Sequence, residues 1–162
     1  MTKEDIYALL SRATIDFEIT RHGAVYDMAA VDEGTFLYPD RIAKNLFLRD
    51  DKKANYYLLT VMGDKRLQLK YFAKNQGTRR LSFASKEEME KYLKLTPGTV
   101  SPFGLLNSED KSLIWFLDKD FLAGNGLIGV HPNDNHETVW LKTSDLMKVL
   151  DISVGDIHLV TV

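Results

Sequence analysis

Residues 43–62 read AKNLFLRDDKKANYYLLTVM. Two apolar, strand-like runs, 43–49 and 56–62, flank the polar segment DDKKAN, and this pattern is typical of a β-hairpin. Antiparallel pairing of the two runs would give the chain a sheet that its other elements can pack against. The hairpin is therefore the starting point for predicting the remaining structure.

Helical patterns lie on both sides of this hairpin. Four helices are predicted, over residues 2–13, 66–75 and 85–93 and from about residue 144 to 150. Thr2 with Asp5, and Ser85 with Glu88, have the spacing of capping boxes, which mark helix starts. In the second helix the spacing of Leu67 and Tyr71 places both side chains inward.

Shorter extended runs account for most of the remaining chain. They cover residues 16–20, 78–83, 112–117, 127–131, 138–142 and 157–162. The segment TPGTVSPFG, residues 96–104, is expected to be a loop, because Pro97 and Pro102 disfavour regular structure. Strands outnumber helices and the hairpins imply antiparallel pairing. We therefore predict an α+β fold: a single compact domain over residues 1–162 with a central mixed, largely antiparallel sheet, curved or partly barrel-like, and flanking helices.

Composition excludes several classes of protein. The chain has 162 residues, 44% of them hydrophobic and 27% charged, as in soluble globular proteins. Because it has no cysteine, disulfides, thiolate nucleophiles and cysteine-based metal sites are excluded. No apolar run is long enough to span a membrane, and the first ten residues, MTKEDIYALL, include acidic residues where a signal peptide has basic ones. A cytoplasmic location without membrane association is expected.

The net charge of −2 hides an uneven distribution. Residues 1–106 carry 17 basic and 14 acidic side chains, whereas residues 107–162 carry 4 and 9. Six basic residues and no acidic one fall between positions 65 and 80; they are Lys65, Arg66, Lys70, Lys74, Arg79 and Arg80. Such a cluster can bind a phosphate backbone, and the six are candidate tRNA-binding residues. A solvated helix face would show the same pattern.

Common catalytic motifs are missing. The four histidines do not have HExxH spacing, so no metal site is predicted. The sequence contains no GxSxG nucleophile elbow, no P-loop and no GxGxxG. No cofactor is expected.

Three local features could carry chemistry. Lys44-Asn45 opens an otherwise apolar strand, where the lysine points either to solvent or into a cleft. Gly98-Thr-Val-Ser-Pro102 is a compact loop whose backbone groups could orient a ligand or a water molecule. His131-Pro-Asn-Asp-Asn135 follows a strand and alone would be ordinary turn chemistry. Each feature is weak by itself.

In their order along the chain, KNLFLRDDKKANYYLLTV, PGTVSPFGLL and GVHPNDNHETV resemble the YbaK/prolyl-tRNA-synthetase-associated editing domain family. Within that family the sequence is similar to the freestanding prolyl-tRNA editing proteins of the ProX or PrdX type. The likeness extends from about Phe17 to the C-terminus.

The resemblance implies roles for particular residues. It assigns catalytic roles to Lys44, Gly98 and His131. It also implies substrate-binding roles for Asn45, Thr99, Val100, Ser101, Pro102, Phe103 and Asn135.

The implied activity is trans-editing: hydrolysis of mischarged Ala-tRNA(Pro) by water attack on the ester in a size-selective pocket. The implied partner is the acceptor end of mischarged tRNA(Pro), with transient contact to prolyl-tRNA synthetase or the elongation machinery as a further expectation. A deacylase for Cys-tRNA(Pro) or another small aminoacyl-tRNA stays open as an alternative. A non-catalytic module that binds tRNA or a synthetase, and a generic esterase, are the other two alternatives.

Overall fold

In this computed structural model residues 1–23 and 36–162 are described, and they form four α-helices and eight β-strands. The helices are α1 (Lys3–Arg12), α2 (Leu69–Gln76), α3 (Lys86–Leu93) and α4 (Thr143–Leu150). The strands are β1 (Phe17–Arg21), β2 (Ala43–Asp50), β3 (Tyr56–Met62), β4 (Leu81–Phe83), β5 (Ile114–Asp118), β6 (Leu127–Val130), β7 (Glu137–Lys142) and β8 (Asp156–Val160). Both predicted capping boxes are present, at the starts of α1 and α3.

The strands of the described ranges form two sheets. One has five strands in the order β4-β2-β3-β5-β8, antiparallel across β4-β2-β3 and parallel across β3-β5-β8. The other is antiparallel, in the order β1-β7-β6. A parallel bridge between Ile42 and Gly129 joins them. The predicted α+β class with a mixed sheet is confirmed, although the strands of residues 1–23 and 36–162 form two sheets and no closed barrel.

The β2–β3 hairpin forms as predicted, with Ala43 opposite Met62 and Arg49 opposite Tyr56. Its turn is held by the buried carboxylate of Asp50, which accepts hydrogen bonds from the Ala54 backbone N–H at 2.9 Å and from the Asn55 side chain at 2.8 Å. A short polar turn thus fixes the register of the two strands that lead to the site.

The two faces of the five-stranded sheet bury different cores. Because side chains alternate along a strand, Phe47, Leu58 and Trp115 face the larger core, which also contains residues of α1, α3, α4 and the three-stranded sheet. Leu48 and Phe116 face the opposite side and pack with α2. Of the helices in the described ranges, none is long and apolar enough to cross a membrane.

The prediction for α2 holds for only one of its two inward residues. The helix begins at Leu69 rather than at residue 66, so Leu67 precedes it, although Leu67 is half-buried and packs against the same core as Phe72, as predicted. Tyr71 is exposed, and Phe72 and Ala73 are the buried residues. Because the periodicity was counted from Leu67, which precedes the helix, it placed Tyr71 on the wrong face.

The segment predicted as an irregular loop through residue 104 is in part regular. Pro102–Asn107 is a 3-10 helix with Pro102 in its first turn, where the missing N–H of proline costs nothing. The Ser101 hydroxyl caps it by accepting from the Phe103 N–H at 3.0 Å. Phe103 and Leu105 are buried in the larger core, so this helix anchors the end of the preceding loop.

Candidate active site

A cleft of about 610 Å³ opens beside the start of β2. Its walls come from β2, the end of β4, α3, the loop between α3 and the 3-10 helix, and the residue after β6. The lining residues are Ala43, Lys44, Asn45, Leu46, Phe47, Gly63, Phe83, Ala84, Lys86, Met89, Pro97, Gly98, Val100 and His131. The cleft is large enough for a nucleoside-sized ligand.

The cleft exists because β4 covers only part of β2. Their pairing is limited to residues 48–50 of β2, and one further hydrogen bond joins the Ala84 N–H to the Phe47 carbonyl at 2.9 Å. Ahead of that point the edge of β2 has no strand partner among the described residues. Polar side chains at the start of this strand therefore border an opening.

Lys44 lies on the cleft wall. Of the two positions predicted for this lysine, in solvent or in a cleft, the structure shows the second. Its Nζ donates a hydrogen bond to the Lys65 carbonyl at 2.6 Å, which fixes the ammonium group at the side of the cleft. The neighbouring Asn45 also lines the cleft, and its Oδ1 accepts from the Thr60 hydroxyl at 2.6 Å. The two side chains supply a cation and an amide.

The loop before the 3-10 helix forms the opposite side. Gly98 has φ = +91°, a conformation that favours glycine, and both Gly98 and Val100 line the cleft. The Thr99 hydroxyl donates a hydrogen bond to the Thr96 carbonyl at 2.8 Å, which closes the turn of the loop. Within the parts of the chain that the structure describes, the N–H groups of Gly98 and Val100 have no hydrogen-bond acceptor. These two backbone groups are available to a ligand.

Four loop residues expected to contact substrate do not line the cleft. They are Thr99, Ser101, Pro102 and Phe103. Their observed contacts are internal: Thr99 closes the turn, Ser101 caps the 3-10 helix, and Pro102 and Phe103 are buried. We therefore assign these four residues a structural role: they hold Gly98 and Val100 in place and do not contact the substrate themselves.

His131 lies on the wall immediately after β6. Its Nδ1 is 3.2 Å from the Glu137 carbonyl, which can only accept, so Nδ1 carries the proton and Nε2 is left as an acceptor. Burial lowers the pKa of His131, and this outweighs the effect of the carbonyl, which raises it. The ring is therefore neutral near pH 7. Asn135, also expected in the pocket, is buried and does not line the cleft.

The carbonyl that holds His131 is itself anchored. The Glu137 carboxylate is buried and pairs with Lys3 and Arg21, both at 3.3 Å, and accepts from the Tyr7 hydroxyl. Burial alone would raise the pKa of Glu137, but the hydrogen bonds from Tyr7 and Lys3 hold it below the ordinary range. This network ties α1 to β7 and fixes the strand that orients the histidine.

A small side cavity of about 20 Å³ adjoins the cleft. It shares Ala43 and His131 with the cleft and is otherwise lined by Phe36, Ile42, Gly129, Val130 and Thr138. Its volume corresponds to about one water molecule or one methyl group. A Cβ at Gly129 would clash with the Trp140 ring, so this wall is closely packed.

The six predicted tRNA-binding residues divide into two groups. Lys65 pairs with Asp118 at 2.8 Å and with Asp120 at 2.7 Å, and Arg79 pairs with Asp51 at 2.6 Å. Within the described ranges the other four have no acidic partner and are exposed; we call Arg66, Lys70, Lys74 and Arg80 the basic surface.

Several lining residues were missed from sequence. Phe83, Lys86 and Met89 belong to β4 and α3, which the sequence patterns located without relating them to the site. No sequence signal identified Phe83, because its exposure at the end of β4 is visible only in the structure. No group of three or more potential metal ligands occurs among the residues that the structure describes.

Comparison with known proteins identifies the family. The aminoacyl-tRNA editing domain model matches residues 22–149. The chain belongs to the aminoacyl-tRNA editing domain family. The resemblance seen in the sequence is thus confirmed, and this editing domain is an aminoacyl-tRNA hydrolase.

Relatives of this editing domain carry more specific names. The prolyl-tRNA editing protein ProX of Acetoanaerobium sticklandii is 40% identical over 148 residues, 91% of this chain and 90% of the relative. The prolyl-tRNA synthetase associated domain-containing protein 1 of Mus musculus is 30% identical over 141 residues, 85% and 83% of the two chains.

Solved structures share the fold of the editing domain. A crystal structure described as a candidate trans-editing enzyme for prolyl-tRNA synthetase superposes with a TM-score of 0.68 at 20% identity and covers 95% of this chain and 94% of its own. A scaffold protein used for computational epitope grafting superposes with a TM-score of 0.72 at 19% identity. The match covers 99% of this chain and 95% of the scaffold chain.

The titration of His131 leads to the first prediction. If its neutral Nε2 accepts a proton or orders the attacking water, kcat/KM for deacylation falls as the pH drops through the lowered pKa of this ring. The midpoint of the acidic limb is therefore expected below the ordinary histidine value of about 6.5, with a plateau above it.

The measurement is a pH–rate profile between pH 4.5 and 8, corrected for uncatalysed ester hydrolysis. His131→Ala should be slower and should lose the limb. A limb centred at or above about 6.5, or the same limb in His131→Ala, would contradict the assignment.

Proposed function

We propose that this protein is a freestanding trans-editing deacylase that removes alanine from mischarged tRNA(Pro), with the whole chain acting as one editing domain in the cytoplasm. The small side cavity beside His131 is the observation that carries the choice of alanine. The convergence of Lys44, Asn45, Gly98 and His131 on one cleft supports ester hydrolysis there.

The chemistry needs no protein nucleophile, because an aminoacyl ester is already activated. In our proposal a water oxygen bonds to the ester carbonyl carbon and the bond from that carbon to the ribose oxygen breaks. His131 Nε2 orders the water, accepts its proton and returns that proton to the departing ribose oxygen, while the N–H groups of Gly98 and Val100 stabilise the developing oxyanion. Lys44 holds the negatively charged acceptor end at the opposite wall.

Size selection is assigned to the side cavity. An alanine methyl group fits a volume of about 20 Å³, whereas the ring of proline does not. A synthetase site built for proline cannot exclude the smaller alanine by size, since one methylene contributes only about 1–3 kcal/mol of discrimination. A second site that admits only the smaller side chain solves this problem. Cysteine, with a sulfur added to the methyl position, is expected to fit poorly.

The wider part of the cleft is assigned to the terminal nucleoside. Phe83 lines it and keeps 60% of its surface exposed, although large apolar side chains are usually buried. Lys86 lies on the same wall. An exposed aromatic ring beside a cation provides a stacking surface for a nucleobase.

Phe83→Ala is accordingly expected to raise KM for the tRNA substrate about tenfold, equivalent to ~1.4 kcal/mol of lost stacking, with kcat little changed. Steady-state kinetics would measure both constants. Ile152→Ala removes another exposed apolar side chain outside the cleft and serves as the control. An unchanged KM in Phe83→Ala would remove the stacking assignment.

The basic surface is assigned to the acceptor stem. Lys70 and Lys74 are exposed one turn apart on α2. Their double replacement by glutamate is expected to weaken tRNA binding and to reduce the slope of log K against log salt by about 1–2. Arg79→Ala, whose side chain is already paired with Asp51, should change the slope less. If the salt dependence of tRNA binding had the same slope in the wild type and the double variant, the basic surface would be a solvated helix face that does not contact tRNA.

Release of amino acid from Ala-tRNA(Pro), Cys-tRNA(Pro) and Pro-tRNA(Pro) tests the proposed function. Rapid loss of alanine alone is expected. Preferential loss of cysteine would contradict the size assignment but leave a deacylase. Loss of none of the three by folded protein would favour a module that binds tRNA or a synthetase without chemistry.

A further inference from the structure

A buried hydrogen-bond chain ends at the candidate active site. The Trp115 indole N–H donates to the Thr60 hydroxyl at 2.9 Å, and that hydroxyl is 2.6 Å from Asn45 Oδ1. Thr60 and Trp115 are fully buried, whereas Asn45 lines the cleft. The three side chains lie on adjacent strands β5, β3 and β2 and share one face of the sheet, with Asn45 directly opposite Thr60.

The direction of this chain follows from its first member. An indole N–H can only donate, so the Thr60 oxygen must accept from Trp115. The one hydroxyl proton of Thr60 then has Asn45 Oδ1 as its acceptor in the described ranges. A flipped Asn45 amide would turn a second donor towards Thr60 and leave that buried proton without an acceptor, which is costly.

Fixing Oδ1 also fixes the other half of the amide. The two N–H donors of Asn45 Nδ2 are directed away from Thr60, and no acceptor for them occurs in the described parts of the chain. We infer that Thr60 is a positioning residue of this hydrolase: with Trp115 it holds Asn45 as an obligate hydrogen-bond donor to an oxygen of the aminoacyl-adenosine end of the substrate. This rests on the proposed function, and it adds a buried residue outside the cleft to the machinery.

Thr60→Val tests the inference, because it keeps the shape and removes the hydroxyl. We expect the single-turnover rate on Ala-tRNA(Pro) to fall severalfold, since an amide that flips freely presents its donors only about half the time and holds them in a less fixed geometry. Thr60→Ser should restore the rate. Thr143→Val is the matched control: its hydroxyl is also fully buried and donates to the Phe121 carbonyl at 3.0 Å, but Phe121, unlike Asn45, does not line the cleft. It should lose comparable thermal stability and keep the rate.

A double-variant cycle separates positioning from a purely structural role. If Thr60 acts through Asn45, Thr60→Val in an Asn45→Ala background adds no further loss of rate, although it still lowers the melting temperature. If the double variant lost rate by the product of the two single-variant factors, the inference would be overturned. A wild-type rate in folded Thr60→Val would overturn it as well.

Asn45→Asp gives an independent test should Thr60→Val fail to fold. An aspartate still accepts from Thr60 but offers the cleft no donor, so its rate should be as low as that of Asn45→Ala. A wild-type rate in Asn45→Asp would overturn the positioning role. Absence of deacylation by the wild-type protein would contradict the proposed function itself, and the inference with it.

Discussion

Lys44→Ala is expected to lower kcat/KM for Ala-tRNA(Pro) by about 100-fold or more, with little change in melting temperature. The ammonium group lies on the cleft wall and is fixed by one hydrogen bond to the Lys65 carbonyl. Removing it takes away a positioned charge from a cleft that has to bind the anionic end of a tRNA. The free energy of unfolding should change little, because Lys44 is not a core residue.

The control for this variant is another lysine with a similar internal bond. Lys111 Nζ donates to the Ser108 carbonyl at 3.2 Å and lies outside the cleft. Lys111→Ala should therefore keep both the rate and the fold. Near-normal deacylation by folded Lys44→Ala would break the assignment of this lysine to the chemistry.

The secondary structure was predictable where a signal is local. Two apolar runs on either side of a polar turn located β2 and β3, and the Thr2 and Ser85 capping boxes located the starts of α1 and α3, because strand propensity and helix capping depend on neighbouring residues. The inward position of Tyr71 was wrong, because the phase of α2 depends on the start of the helix at Leu69. The division into two sheets was not predictable, since strand order depends on contacts between distant segments.

The site residues, like the secondary structure, were predictable only in part. Lys44, Asn45, Gly98 and His131 were selected because of a resemblance spread over three segments, and the fold brings these segments together at one cleft. Sequence did not separate Gly98 and Val100, which line the cleft, from Ser101 and its successors, which are buried beneath it. That distinction arises from a 3-10 helix whose first proline had suggested irregular structure.

The contribution of Thr60 was hidden for a further reason. A threonine in an apolar strand has high strand propensity and needs no functional explanation. Only the register that places it opposite Asn45, together with the indole on the next strand, shows that its hydroxyl has a directional task. Long-range pairing thus decides which ordinary residue supports a site.

Gly98→Ala is expected to lower kcat for deacylation by about 100-fold. The φ of +91° at this position disfavours a side chain, so the loop must change its backbone to accept a Cβ. That change would move the N–H groups of Gly98 and Val100, which we assign to the developing oxyanion. Because these groups act on the transition state, the loss should appear in kcat more than in KM.

Gly77→Ala separates strain from chemistry. Gly77 ends α2 with φ = +70°, and a Cβ there would meet nothing within 4 Å. Both alanine variants should lose about 1 kcal/mol of unfolding free energy, because both place a side chain in a left-handed backbone conformation. Single-turnover rates, measured beside thermal or urea unfolding, should then fall for Gly98→Ala alone. A wild-type kcat in Gly98→Ala, at the same stability loss as Gly77→Ala, would mean that the loop shapes the cleft without stabilising the reacting carbonyl.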